Sequence, residues 1–144
     1  MTTIYCDLDG TLADLYGYEN WLALLRAENT QPYDEAKPLV NLSRLARALH
    51  KAQSKGYAIG VLSWGAKNAS TAYDKAVENA KRMWLIRHLP SVEWNEIIVV
   101  AYGTPKHSLA NLGDLLFDDE ERNRNEWGNG AHSPEEIFEV LASL

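Results

Sequence analysis

Asp7 and Asp9 stand two residues apart in Asp7-Leu8-Asp9-Gly10-Thr11, directly after the β-prone run Thr3-Ile4-Tyr5-Cys6. Extended residues alternate sides, so both carboxylates can face the same way, roughly 7 Å apart in a fully extended chain. A turn at Gly10 can bring them closer. One carboxylate could attack phosphorus while the other alternates between general acid and general base. Their charges repel a phosphate unless a cation intervenes, and Mg²⁺ accepts hard carboxylate oxygens. Taken alone, the same pair also suits solvent-exposed turn and helix-capping acids.

Three further positions carry related chemistry. Ser63 follows Tyr57-Ala58-Ile59-Gly60-Val61-Leu62 and could donate to a phosphate oxygen, with neighbouring backbone N–H groups forming an anion nest. By itself it is an ordinary turn former. Lys106, in Gly103-Thr104-Pro105-Lys106, could reach a phosphate or a nucleophilic carboxylate, although an isolated lysine is usually surface charge. Asp118 and Asp119 end Leu115-Leu116-Phe117 and offer a second hard-cation anchor, or else cap the segment Glu120–Trp127. An acid pair, a hydroxyl and another acid pair thus follow three apolar runs, with a lysine between the last two.

The elements needed to bring these groups together are legible. Strands are expected at Thr3–Cys6, Tyr57–Leu62, Glu96–Ala101 and Asp114–Phe117. The unbroken Ile97-Ile98-Val99-Val100 run suits a strand covered on both faces. Helices are expected around Glu19–Glu28, over Leu42–Lys55 with Gly56 as its stop, over Ala72–His88, and over Pro134–Leu141 behind the Ser133/Glu136 capping box. Asn29 to Pro38 reads as connection. Short strands alternating with helices favour a three-layer α/β/α sandwich with a mainly parallel sheet, and such sheets bind ligands beyond the carboxyl ends of their strands.

Composition narrows the function classes. The 144 residues carry a formal charge of −6, and thirteen of the twenty acids but only half of the fourteen bases lie after residue 72. A broad grip on nucleic acid or anionic membrane is not expected, because it needs Lys and Arg to displace condensed counterions. A terminal nucleic-acid phosphate remains an open partner. Cys6 is the only cysteine, so neither an intrachain disulfide nor a cysteine-based zinc cluster can form. His50, His88, His107 and His132 lack zinc-ligand spacing. No apolar run approaches the roughly 18 residues that span lipid, and no basic start precedes an apolar signal segment. The expectation is a soluble cytoplasmic protein of open oligomeric state. An EF-hand starting at Asp7 fails at Leu12 and Tyr18, where it needs Gly and Glu, and no GxxxxGK[ST] phosphate loop is present.

In the order Asp7-Leu8-Asp9-Gly10-Thr11, Ser63, Lys106 and Asp118-Asp119, the chain resembles the haloacid dehalogenase-like phosphohydrolase family, over residues 3–119. The resemblance implies a Rossmann-like sandwich, Mg²⁺ as cofactor, Asp7 as phosphate-accepting nucleophile and Asp9 as general acid/base. It also assigns Ser63 and Lys106 to phosphate contact and charge compensation, and Asp118 and Asp119 to the metal or its shell. The Asp9 backbone carbonyl would be a further metal ligand. Thr11, Trp64 and Gly65 join the expected substrate contacts. Trp64 stands between core packing and contact with an aromatic leaving group.

The longer segments Asp7-Leu8-Asp9-Gly10-Thr11-Leu12-Ala13-Asp14 and Gly113-Asp114-Leu115-Leu116-Phe117-Asp118-Asp119 look like the 5′(3′)-deoxyribonucleotidase branch and small phage-like members. The chain departs from that branch in Ser63-Trp64-Gly65 and in having little or no room for a separate cap. Residues 14–41 suffice for a small helical flap carrying Asp14, Tyr16, Tyr18 and Trp21. The reading is a Mg²⁺-dependent phosphomonoester hydrolase of one domain, with a small phosphorylated molecule such as a nucleoside monophosphate as substrate. The alternatives are a nucleic-acid end phosphatase and a noncatalytic phosphate-binding regulator.

Overall fold

The computed structural model describes residues 1–144. Five strands form one sheet: β1 (Thr3–Cys6), β2 (Ala58–Trp64), β3 (Glu96–Val100), β4 (Leu115–Phe117) and β5 (Ala131–His132). Their spatial order is β3-β2-β1-β4-β5, and every pairing is parallel. Six helices accompany them: α1 (Trp21–Arg26), α2 (Gln31–Glu35), α3 (Leu42–Ser54), α4 (Thr71–His88), α5 (Glu121–Trp127) and α6 (Ile137–Ala142). No helix is long and apolar enough to cross a membrane.

Strand alternation divides the core. Ile4, Cys6, Ile59 and Val61 pack with Leu45 and Leu49 of α3, Trp84 and Leu85 of α4, and Ile137 and Leu141 of α6. Tyr5, Leu62 and Leu116 form the opposite, smaller core, against which Trp127 of α5 packs. This is the expected three-layer sandwich. Gly60 is glycine for a local reason: a Cβ there would stand 2.9 Å from the Tyr5 ring. Burying a large aliphatic side chain contributes roughly 1.5–3 kcal/mol, so the broader core is the main source of stability.

Several boundaries differ from the sequence expectation. β2 runs through Ser63 and Trp64 rather than ending at Leu62, because β3 supplies Val99 and Val100 as ladder partners. β3 is an edge strand and only half buried, so the Ile97–Val100 run is not covered on both faces. The expected connection at 29–38 contains α2, with Pro32 in its first turn, where the missing N–H costs nothing. β5 was not anticipated. Its residues Ala131 and His132 lie opposite Leu116 and Phe117, a pairing that depends on the α5 crossover. Helix α1 is shorter than 19–28, and the last helix begins with a 3-10 turn over Pro134–Glu136. The capping box is present there, with Glu136 accepting from the Ser133 N–H at 3.0 Å.

Helices α1 and α2 are anchored to α4 over the carboxyl edge of the sheet. The Tyr73 hydroxyl donates to the Asn29 carbonyl (2.8 Å), and the Trp84 indole donates to that of Ala36 (2.8 Å). Ser70, the N-cap of α4, donates its hydroxyl to Glu28 (2.6 Å) while accepting from the Tyr73 N–H (3.1 Å).

Candidate active site

Parallel pairing aligns the ends of β1, β2 and β4, and the chemistry-bearing residues emerge there. The ladder continues one residue past β1 and β4, with the Asp7 N–H donating to Phe117 (2.8 Å) and the Asp118 N–H to His132 (3.1 Å). Asp7 and Asp118 are therefore held by backbone on both sides of one gap. The chain then turns at Gly10, whose φ of +80° favours glycine and whose missing Cβ leaves room for the Asp119 carboxylate.

The Lys106 ammonium spans that gap, 2.9 Å from Asp7 Oδ1 and 2.7 Å from Asp118 Oδ2. All three groups are buried. Burial opposes the charge on Lys106, but the two carboxylates outweigh it and raise its pKa. The Thr11 hydroxyl donates to Asp7 Oδ2 at 3.2 Å and lies 3.4 Å from Asp119 Oδ1. Oxygens of Asp7, Asp118 and Asp119 come within 4.8 Å of one another. Such a hard, anionic donor set fits a divalent cation held by carboxylates. Burial raises the Asp118 carboxyl, with the Asp7 charge adding to it and Lys106 opposing. Partial desolvation pushes the exposed Asp119 up to about 8, and the neighbouring Asp7 and Asp118 charges add to that shift. A bound cation would reverse the charge contributions.

Asp9 points to a different partner. Its Oδ2 accepts from Lys81 of α4 at 2.8 Å, and burial raises its pKa against the pull of that ammonium. Lys81 also donates to Ser63 Oγ and to the Trp64 carbonyl, both at 2.6 Å.

Sequence reasoning missed Lys81, though a signal was present. It lies four residues after Val77 and three before Trp84, so a cation occupies the buried stripe of α4. Asn123 was missed as well; its amide donates to Asp118 Oδ2 at 3.1 Å from inside α5.

The remaining expected contacts take specific places. Ser63 is fully buried, on the same side of β2 as Ile59 and Val61, facing α4. Trp64 lines the acidic pocket, packs against Tyr102 with ring centroids 5.0 Å apart, and donates its indole N–H to the Thr104 carbonyl (2.8 Å). It thereby braces the loop that carries Lys106. Gly65 lies apart from the acids; its N–H donates to the Val100 carbonyl at 2.7 Å and it borders a separate groove beside Asp74. That N–H is spent on the sheet rather than on an anion nest. Thr11 bonds the acids themselves.

The acidic pocket is small, about 70 Å³, and adjoins a larger cleft of about 360 Å³. Asp9, Tyr16 and Tyr102 belong to both. The cleft is walled by aromatic and aliphatic side chains, among them Trp21, Leu25 and Tyr33 from α1 and α2. Tyr16 packs edge-on against Trp21 at 4.9 Å.

No family model matches the chain, and no curated protein matches it. Solved structures do. The D,D-heptose 1,7-bisphosphate phosphatase of Burkholderia thailandensis superposes with a TM-score of 0.54 at 16% identity, over 90% of this chain and 74% of that one. A target protein from Vibrio cholerae matches at 19% identity and a TM-score of 0.43, over 99% and 98% of the two chains. The first likeness shows that the chain shares the fold of that solved structure, and in this chain the Asp7/Asp118/Asp119 cluster lies at the carboxyl edge of the all-parallel sheet.

Proposed function

We propose that the protein is a magnesium-dependent phosphomonoester hydrolase that works through an aspartyl-phosphate on Asp7, with nucleoside monophosphates as the first substrates to test. The observation that carries this reading is the meeting of Asp7, Asp9, Asp118, Asp119 and Lys106 around one small pocket from distant stretches of chain. Four carboxylates drawn together beside an open cleft, with raised pKa values among them, are the pattern of a functional site.

Asp7, Asp118 and Asp119 would hold the cation, which supplies charge neutralisation for an incoming phosphate when bound. Asp7 attacks phosphorus, and the bond from phosphorus to the leaving oxygen breaks as Asp9 delivers a proton to that oxygen. Asp9, now a carboxylate, takes a proton from water; the water oxygen bonds to phosphorus, and the bond to Asp7 breaks. Inorganic phosphate leaves, and Asp7 and Asp9 return to their starting states. Lys106 and the Thr11 hydroxyl hold the Asp7 carboxylate in place throughout.

The adjoining cleft supports a leaving group with an apolar, planar body. Residues 14–41 serve as a small flap, and Tyr16, Trp21 and Tyr33 offer faces against which a base could stack. The test is phosphate release from nucleotides, sugar phosphates and 3′- or 5′-phosphorylated oligonucleotides, with Mg²⁺ and with chelator. Asp7→Asn should lower turnover by roughly 10³-fold or more while leaving the folded protein intact by circular dichroism. Equal phosphate release by Asp7→Asn and wild type would remove the nucleophile assignment. Inert nucleotides beside an active sugar phosphate would replace the substrate class.

A further inference from the structure

Lys81 is the most completely buried cation in the molecule, with 1% of its side chain exposed. An ammonium has three N–H donors and no acceptor. Here they meet three acceptors: Asp9 Oδ2 at 2.8 Å, Ser63 Oγ at 2.6 Å and the Trp64 carbonyl at 2.6 Å. The Tyr33 ring covers the ammonium at 5.2 Å. No donor is left for a substrate, so Lys81 acts on the reaction only through what it holds.

We infer that Lys81 is a positioning residue that fixes the Asp9 carboxyl and aims it toward the leaving-group cleft. Two observations support this. Lys81 grips Oδ2 of Asp9 from the α4 side, while the cation-suited cluster is made by Asp7, Asp118 and Asp119 and does not include Asp9. Asp9 lines both the acidic pocket and the larger cleft, the place from which a leaving oxygen would be reached.

The inference rests on the phosphohydrolase reading, and its test separates the two. Alkyl phosphates need a proton on their leaving oxygen, whereas p-nitrophenyl phosphate does not. In Lys81→Met, kcat/KM, which covers the steps up to the aspartyl-phosphate, should fall about 100-fold for an alkyl phosphate and less than a tenth as much for p-nitrophenyl phosphate. Lys81→Gln should show the same ordering. Parallel losses on both substrates, or none, would overturn the inference while leaving the hydrolase intact. A wild type inert toward both would instead count against the hydrolase.

A second measurement needs neither turnover nor a Lys81 variant. Buried, hydrogen-bonded ammonium groups exchange protons slowly, and nitrogen NMR of wild type should show two protected lysine signals, from Lys81 with three partners and Lys106 with two. Ser63→Ala should move one, and Asp118→Asn the other. A Lys81 signal that is unprotected, or indifferent to Ser63→Ala, contradicts the proposed geometry.

Discussion

Oδ1 of Asp7 accepts a 2.9 Å bond from Lys106, a residue 99 positions farther along the chain, and the same ammonium lies 2.7 Å from Asp118. One buried cation thus neutralises two carboxylates that would otherwise repel each other across the gap between β1 and β4. Removing one partner of such a cluster leaves charge uncompensated in a poorly solvated place. Lys106→Met should cost about 3–5 kcal/mol of stability, read from urea unfolding in chelator. Mg²⁺ should raise the unfolding midpoint of the variant more than that of wild type. An unchanged midpoint would mean that the buried ion pairs contribute nothing net.

Cation binding by the acid cluster would depend on pH. Carboxylates bind metal in their deprotonated form, and desolvation together with the Asp7 and Asp118 charges pushes Asp119 up to about 8. Apparent Mg²⁺ affinity should therefore rise as pH increases toward and through 8, with protons released on binding at lower pH. In metal-free protein the sign for stability is opposite. A carboxyl whose folded pKa lies above its unfolded value favours the folded state at low pH, and that contribution is lost as pH rises through 8. Calorimetric titration in two buffers of different ionisation enthalpy checks the first statement, and thermal unfolding in chelator across pH 5–9 checks the second.

Gly10 answers two demands at once, a φ of +80° and contact with the Asp119 carboxylate where a Cβ would sit. Gly10→Ala should lose about 1–2 kcal/mol from the left-handed backbone alone. It should also displace Asp119 and weaken Mg²⁺ binding. Asp119→Ala makes room for the new methyl, so the double variant should be more stable than the sum of the two single changes predicts. Strict additivity would show that the Asp119 contact carries no cost.

Cys6 lies inside the main core, and burial pushes its thiol up to about 12, with the adjacent Asp7 charge adding to the shift. At pH 8 the folded protein should resist a thiol-specific reagent, because the thiolate is the reactive form. Labelling should proceed at the rate of unfolding and become fast in denaturant. Rapid labelling of the folded state would show that the end of β1 opens to solvent.

The core strands and most helices were legible because their causes are local. Apolar runs at 3–6, 58–62 and 115–117 and the helical spacing of Leu45, Leu49 and Ala52 require only near neighbours to be read. The weak elements were not. Helix α2 is five residues long and β5 two, and each depends on a distant partner, α4 for the first and β4 for the second. The same holds for β3, whose apolar run is read correctly as strand but whose edge position follows from strand order.

What the sequence alone determined was which charged groups could do chemistry: Asp7, Asp9, Asp118 and Asp119 after apolar strands that a parallel sheet would align, and Lys106 between them. Only the tertiary structure decided how those charges are paired. It gave Asp7 and Asp118 to Lys106, Asp9 and Ser63 to Lys81, and Gly65 to the sheet. The reason is physical: residue type and spacing report which groups could act, whereas ion pairing depends on three-dimensional distance and on solvent exclusion. Neither is encoded by separations of 72 and 99 residues along a chain.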